Sequence, residues 1–212
     1  MNLMKLIFNN TGKPRGLLGR WMVASMNTNH AGVSDWGMSF LDVQMPGMIA
    51  DLGCGGGRNA QKLLEKYPAS KLTALDHSDI SVGKTRRINR AAVKEGRCTV
   101  LQGDVSAMRF EDETFDLITA FETVYFWPGP EKSFCEVHRT LRKGGTFLIV
   151  NESDGESEED AEWVSRIDGI SIYTAQQLTD YLKNAGFTAV DVHRDEDKHW
   201  LCLLARKGEE SK

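Results

Sequence analysis

The stretch Met48-Ile49-Ala50-Asp51-Leu52-Gly53-Cys54-Gly55-Gly56-Gly57-Arg58-Asn59 limits the possible folds more than any other part of the chain. It opens as a short apolar run behind Pro46-Gly47, the pattern of a buried strand entering a sheet. Four glycines then fill five positions, and residues 60–67 follow with apolar side chains at helical spacing. Strand, glycine turn and helix together bring bare backbone N–H groups and a helix N-terminus against a ligand. Glycine suits such a turn because the backbone takes unusual angles there and a Cβ would hold the ligand away.

Downstream the elements alternate. Residues 71–75 read as a strand ending in Asp76-His77-Ser78, residues 80–95 as a helix closed by Gly96, and Cys98–Gln102 as a strand ending in Gly103-Asp104-Val105. Phe115–Phe121 is the next strand, followed by residues 122–127. Residues 130–142 form a helix with Phe134, Val137 and Leu141 inward, stopped by Gly144-Gly145, and residues 146–150 a fifth strand. An acidic stretch at 152–162 predicts a solvated loop running into a short helix. Thr174 and Gln177 make a capping box for a helix that ends at Ala185-Gly186. Residues 189–193 and 200–205 then read as a hairpin. Alternating strands and helices predict a doubly wound α/β domain, with a mostly parallel, Rossmann-like sheet finished by an antiparallel pair.

Before the glycine loop, residues 14–26 place Leu17, Leu18, Trp21, Met22 and Met26 on one helix face, and a second short helix runs from Ser34 through Val43. These helices either cover a sheet edge or form a lid that turns His30 and Trp36 toward a substrate. The whole chain, 1–212, is expected to be one domain: an N-terminal helical cap at 1–45, the core at 46–206 and a tail at 207–212.

A net charge of -4 and a pI near 5.8 argue against general binding to nucleic acid or anionic membranes. Cys54, Cys98, Cys135 and Cys202 are scattered, without C-x-x-C pairs or histidines at ligand spacing, so no metal is expected and reduced thiols in a cytoplasmic protein are. The first residues carry no cleavage site, and no apolar run reaches the length of a membrane span.

Counted from Gly53, a G-x-G-x-x-G fingerprint fails at Arg58, and counted from Gly55 it is read as failing again, so the register taken is acid-x-Gly-x-Gly-x-Gly over Asp51, Gly53, Gly55 and Gly57. Two more acids, Asp76 and Asp104, stand at the next two strand ends, where open α/β sheets bind ligands. A carboxylate at Asp76 suits a pair of ribose hydroxyls. Asp104, followed by apolar Val105, suits an adenine amino group and ring face.

With these acids in register, the sequence resembles class I S-adenosylmethionine-dependent methyltransferases. The stretches 109–118 and 141–147 look like the small-molecule (type 11) branch related to quinone-biosynthesis enzymes. The resemblance covers roughly residues 45–206. It implies seven strands, the last antiparallel and inserted between the fifth and sixth. It also implies S-adenosyl-L-methionine as cofactor and S-adenosyl-L-homocysteine as product. The Gly53, Cys54 and Gly55 backbone would approach the methionine part, with Asp51 and Asn59 also binding the cofactor; Asp76, His77 and Ser78 would meet the ribose, Asp104 and Val105 the adenine, and Phe121 the methionine end and reactive methyl.

Trp36, Glu122, Tyr125, Phe126 and Trp127 would line the acceptor side, with Glu122, Tyr125 and His30 as the possible proton acceptors. Methyl transfer is an in-line displacement at a sulfonium carbon and needs positioning more than a protein nucleophile. The partner implied is a small-molecule acceptor, with no nucleic acid and no membrane. Three rivals stay open: a non-catalytic nucleotide-binding module, a protein or RNA methyltransferase using Arg15, Arg20, Arg86, Arg87 and Arg90, and a nicotinamide-dependent oxidoreductase.

Overall fold

A computed structural model describes residues 30–209. The expected helix at 14–26, with its basic neighbours, lies outside them. The strands are β1 (Met48–Leu52), β2 (Lys71–Asp76), β3 (Cys98–Gln102), β4 (Phe115–Phe121), β5 (Leu141–Asn151), β6 (Ala189–Asp195) and β7 (Trp200–Arg206). They form one seven-stranded sheet in the order β3-β2-β1-β4-β5-β7-β6. The first five are parallel, and β7 runs antiparallel to both β5 and β6, as the sequence predicts.

The helices α1 (Ala31–Met38), α2 (Arg58–Lys66), α3 (Asp79–Ile88) and α4 (Arg90–Lys94) supply one apolar layer. Val33, Met38, Leu63, Val82 and Ala92 pack there on Ile49, Leu72, Leu117 and Val150. On the opposite face lie α5 (Pro130–Thr140) and α7 (Ala175–Asn184). Their Phe134, Val137, Leu178 and Leu182 meet Ala50, Ile118, Phe147 and Ile149. Alternate residues of each central strand thus serve opposite layers, which is why these strands read as unbroken apolar runs. The acidic stretch yields α6 (Glu158–Arg166), capped by Ser157.

Three boundaries differ from expectation. The helix foreseen over 80–95 is broken at Asn89, whose side chain donates to Gly57 O at 2.9 Å and Thr85 O at 3.1 Å. Helix α5 stops at Thr140 rather than Arg142, because Lys207 Nζ takes the carbonyls of His138 and Leu141 while Leu141 turns extended to pair with Phe115. Gly144-Gly145 therefore sits in a bulged register inside β5. Helix α1 closes at Met38, short of Val43.

The 109–118 stretch is structural. Phe110 meets Phe115 edge-on at 5.0 Å, and Asp116 accepts from Met48 N at 2.8 Å and from Arg142 at 2.7 Å.

Candidate functional site

The strand order reverses between β1 and β4, so the loops leaving their carboxyl ends part and open a crevice. The glycine loop leaves β1; Glu122 and Thr123 leave β4. Gly53 has φ +76°, and a Cβ built on it would stand 2.0 Å from Thr123 Oγ1, so the two loops touch at this residue. At Gly57, φ is +81° and a Cβ would come within 2.7 Å of Thr85 Cα on α3. Gly55 is different: a Cβ there would meet only Gly53 O, at 3.8 Å, so the space over this residue is open.

The loop amides are not bare, contrary to expectation. Gly53 and Cys54 both donate to Leu75 O at 2.7 and 3.0 Å, Gly55 donates to Asp76 Oδ2 at 2.9 Å, and Gly57 donates to Cys54 O. Backbone donors at a sheet edge seek a partner, and β2 runs alongside to provide it. The groups left for a ligand are therefore carboxylates.

Asp51 is buried at the end of β1. Thr119 Oγ1 donates to its Oδ1 at 2.9 Å, while Oδ2 is enclosed without a hydrogen-bond partner. Burial, and secondarily the charge of Asp76, push this carboxyl up to about 7, with Thr119 opposing. Asp76 accepts from the amides of Gly55 and Ser78 at 2.9 and 2.8 Å, which fixes its rotamer. Burial raises its pKa against those two bonds. Asp104 is exposed; its Oδ1 accepts from both the amide and the hydroxyl of Ser106 at 2.8 Å, which hold its pKa down.

Helix α3 shapes the loop from behind. Ser78 caps it, and Ser81, Thr85 and Asn89 lie buried along one face. Thr85 Oγ1 donates to Gly55 O at 3.0 Å and lies 3.4 Å from Cys54 Sγ; Asn89 holds Gly57 O. No local motif marks Thr85 or Asn89 in the sequence. Their signal is the four-residue spacing of polar residues on an inward helix face.

At the other wall, Glu122 is buried in the left-handed backbone region at φ +57°, an uncommon conformation for a side-chain-bearing residue. Its amide donates to Val150 O. Oε2 lies 3.2 Å from His30 Nδ1, an ion-pair contact, and neither carboxylate oxygen makes a hydrogen bond of good geometry. His30 Nε2 lies 3.8 Å from Glu152 Oε1, so one imidazole bridges two acids. Burial raises Glu122 to about 7, with His30 opposing. Burial also works against the His30 imidazolium, but Glu122 and Glu152 outweigh it and its pKa rises.

The remaining expected site residues divide. Tyr125 is buried and its hydroxyl accepts from Ser153 N at 3.0 Å; burial pushes the phenol well above 10. Phe126 packs edge-on against it. Trp127 lies in the core against Phe134 and Phe147, its Nε1 donating to Thr123 Oγ1. Trp36 contacts Phe40 and Trp200. Asn59 donates to Ser34 Oγ, tying α2 to α1 beside the Arg58–Asp35 pair. His77 is exposed and its carbonyl accepts from Gln102. Cys54, Val105 and Phe121 are buried beside the loops that carry the acids.

Glycine spacing does not by itself reject a dinucleotide, because Gly55, Gly57 and Ala60 do stand at G-x-G-x-x-A. Comparison with known proteins decides. A family model described as a methyltransferase domain matches residues 50–149, the span from β1 to β5. Cycloartenol-C-24-methyltransferase 1 from Oryza sativa subsp. japonica is 26% identical over 183 residues, covering 78% of this chain and 52% of that protein. The chain spans about half the length of the curated relatives it matches.

Among solved structures, a Haloferax volcanii putative methyltransferase in complex with the Trm112 activator superposes with a TM-score of 0.79 at 18% identity, covering 89% of this chain and 94% of that one. Haemonchus contortus phosphoethanolamine N-methyltransferase 2, in complex with S-adenosyl-L-methionine, gives 0.70 at 16% identity, covering 86% and 53%.

Fold and crevice define a Rossmann-like α/β domain. Residues 50–149 match a methyltransferase domain, and across that domain the chain is similar to S-adenosylmethionine-dependent methyltransferases.

Proposed function

We propose that the chain transfers the methyl group of S-adenosylmethionine to a small-molecule acceptor by in-line displacement. The observation that carries this reading is the pair Asp51 and Asp76, two buried carboxylates beside the open space over Gly55. The donor set fits the cofactor. Asp51 Oδ2 is an enclosed acceptor that calls for a cation or donor, which the ammonium of the methionine part supplies. Asp76 keeps lone pairs for ribose hydroxyls beyond its two backbone bonds. Asp104 Oδ2, with Val105 behind it, would receive the adenine edge. When bound, the cofactor supplies the electrophilic methyl; the chain's part is to hold it in line with the acceptor and to keep water away.

In this reading the acceptor enters between Glu122, Tyr125, Phe126 and His30. The sterol methyltransferases among the relatives favour an acceptor with an apolar body. Residues 1–45 would cap a single domain. Four free cysteines suit a reducing cytoplasm. Among the described residues no helix is long and apolar enough to cross a membrane.

Calorimetry tests this reading. S-adenosylhomocysteine should bind in the micromolar range and NAD should not bind. Asp76→Ala and Asp104→Ala should each weaken binding by about 1–3 kcal/mol, the cost of leaving hydrogen-bonding groups of a bound ligand unpaired. Unchanged affinity in both variants would rule the assignment out. Labelled methyl donor offered with phenols, amines, thiols and sterols would then identify the acceptor.

A further inference from the structure

We propose that His30, Glu122 and Glu152 form a divalent-cation site at the acceptor end of the crevice. One ligand atom from each residue lies within 4.8 Å of the others, although they come from the approach to α1, the end of β4 and the end of β5. Donors around a first-row ion bound at about 2.0–2.2 Å stand roughly 3–3.5 Å apart. His30 meets Glu122 Oε2 through Nδ1 at 3.2 Å and Glu152 Oε1 through Nε2 at 3.8 Å, so one ring nitrogen would bind the ion and the Glu152 side chain, on the exposed side, would swing toward it.

A second observation is independent of that clustering. Glu122 is 8% exposed, and both of its oxygens, together with His30 Nδ1, are enclosed without hydrogen-bond partners. A buried carboxylate whose oxygens lack hydrogen bonds is costly, and Glu122 also holds left-handed backbone at φ +57°. One nitrogen and two carboxylate oxygens suit Mn²⁺, Fe²⁺ or Zn²⁺ better than Mg²⁺ or Ca²⁺, which favour all-oxygen sets.

Three protein ligands leave coordination positions open. Resting on the reading above, those positions face the methyl acceptor and assign it an oxygen or nitrogen donor beside the atom that is methylated.

The full chain, stripped with a chelator, should be titrated with MnCl2 and separately with ZnCl2 by calorimetry, with Mn²⁺ electron paramagnetic resonance as a second readout. The expected result is one ion per chain, weakened at least about tenfold by Glu122→Gln and by Glu152→Gln. Glu152 has a side chain 46% exposed, so its variant tests the site without disturbing the core. Absence of ion binding in protein that binds S-adenosylhomocysteine overturns the cation site and leaves the methyltransferase reading standing. Ion binding unchanged in both variants also overturns it. Ion binding without S-adenosylhomocysteine binding supports the site and refutes the cofactor crevice.

Discussion

Gly53→Ala should lower stability by about 2–5 kcal/mol and abolish S-adenosylhomocysteine binding. Two costs add. A Cβ at this residue would stand 2.0 Å from Thr123 Oγ1, 2.6 Å from its Cβ and 2.9 Å from its Cγ2, so the β4 loop must move. Overpacking of this kind costs about 1–3 kcal/mol, and left-handed backbone at φ +76° adds about 1–2 kcal/mol for a residue with a Cβ.

In a chain of this size that is a fall of roughly 5–20 °C in melting temperature. Two companion variants isolate the causes. Gly83→Ala, inside α3 with nothing within 4 Å of the new methyl, should be neutral or stabilising by up to about 1 kcal/mol. Gly55→Ala meets only Gly53 O, so it should fold with a smaller loss yet bind poorly, because its methyl occupies the open space. Scanning calorimetry of the three variants checks the order. A Gly53→Ala protein melting with the wild type would mean that the contact between the two loops is not what fixes the crevice.

The sequence shows strand ends better than it shows what meets there. Asp51, Asp76 and Asp104 are legible because each follows an apolar run, and topology alone carries such residues to one side of a parallel sheet. The capping box at Thr174 is legible for a local reason, since all its hydrogen bonds lie within four residues. The fate of the loop amides is not legible. It depends on β2 lying beside β1, a contact between residues more than twenty apart in the chain.

The same holds for the end of α5, fixed by Lys207 just past the end of β7. His30 and Glu122 are each legible as polar candidates in the chain, but their meeting with Glu152 joins three segments that no spacing rule connects. Trp127 shows the converse. Its place in an aromatic run suggests an exposed lining, yet Phe134 and Phe147, on α5 and β5, draw its ring into the core.

Asp51→Asn should make the protein more stable at neutral and alkaline pH while removing its cofactor affinity. The folded carboxyl keeps its proton up to about 7, whereas in the unfolded chain it is lost near the ordinary 3.8. Below the lower value both states are protonated and the residue is neutral to stability. As pH rises between the two, the unfolded chain binds fewer protons, so the folded state loses ground, and the loss is complete above the upper value. The span corresponds to an upper bound of about 4 kcal/mol. Thermal melts should therefore coincide for wild type and Asp51→Asn near pH 4 and separate in favour of the variant by pH 8.

That burden has a functional return. A cation seated against Oδ2 favours the charged carboxylate, so binding of S-adenosylhomocysteine near pH 6.5 should release a proton. Calorimetry in buffers of differing ionisation enthalpy measures that proton, and in Asp51→Asn both the release and the affinity should disappear. Melts that stay superimposed at pH 8, or binding without proton release, would place the ammonium elsewhere and leave the buried acid a structural partner of Thr119 alone.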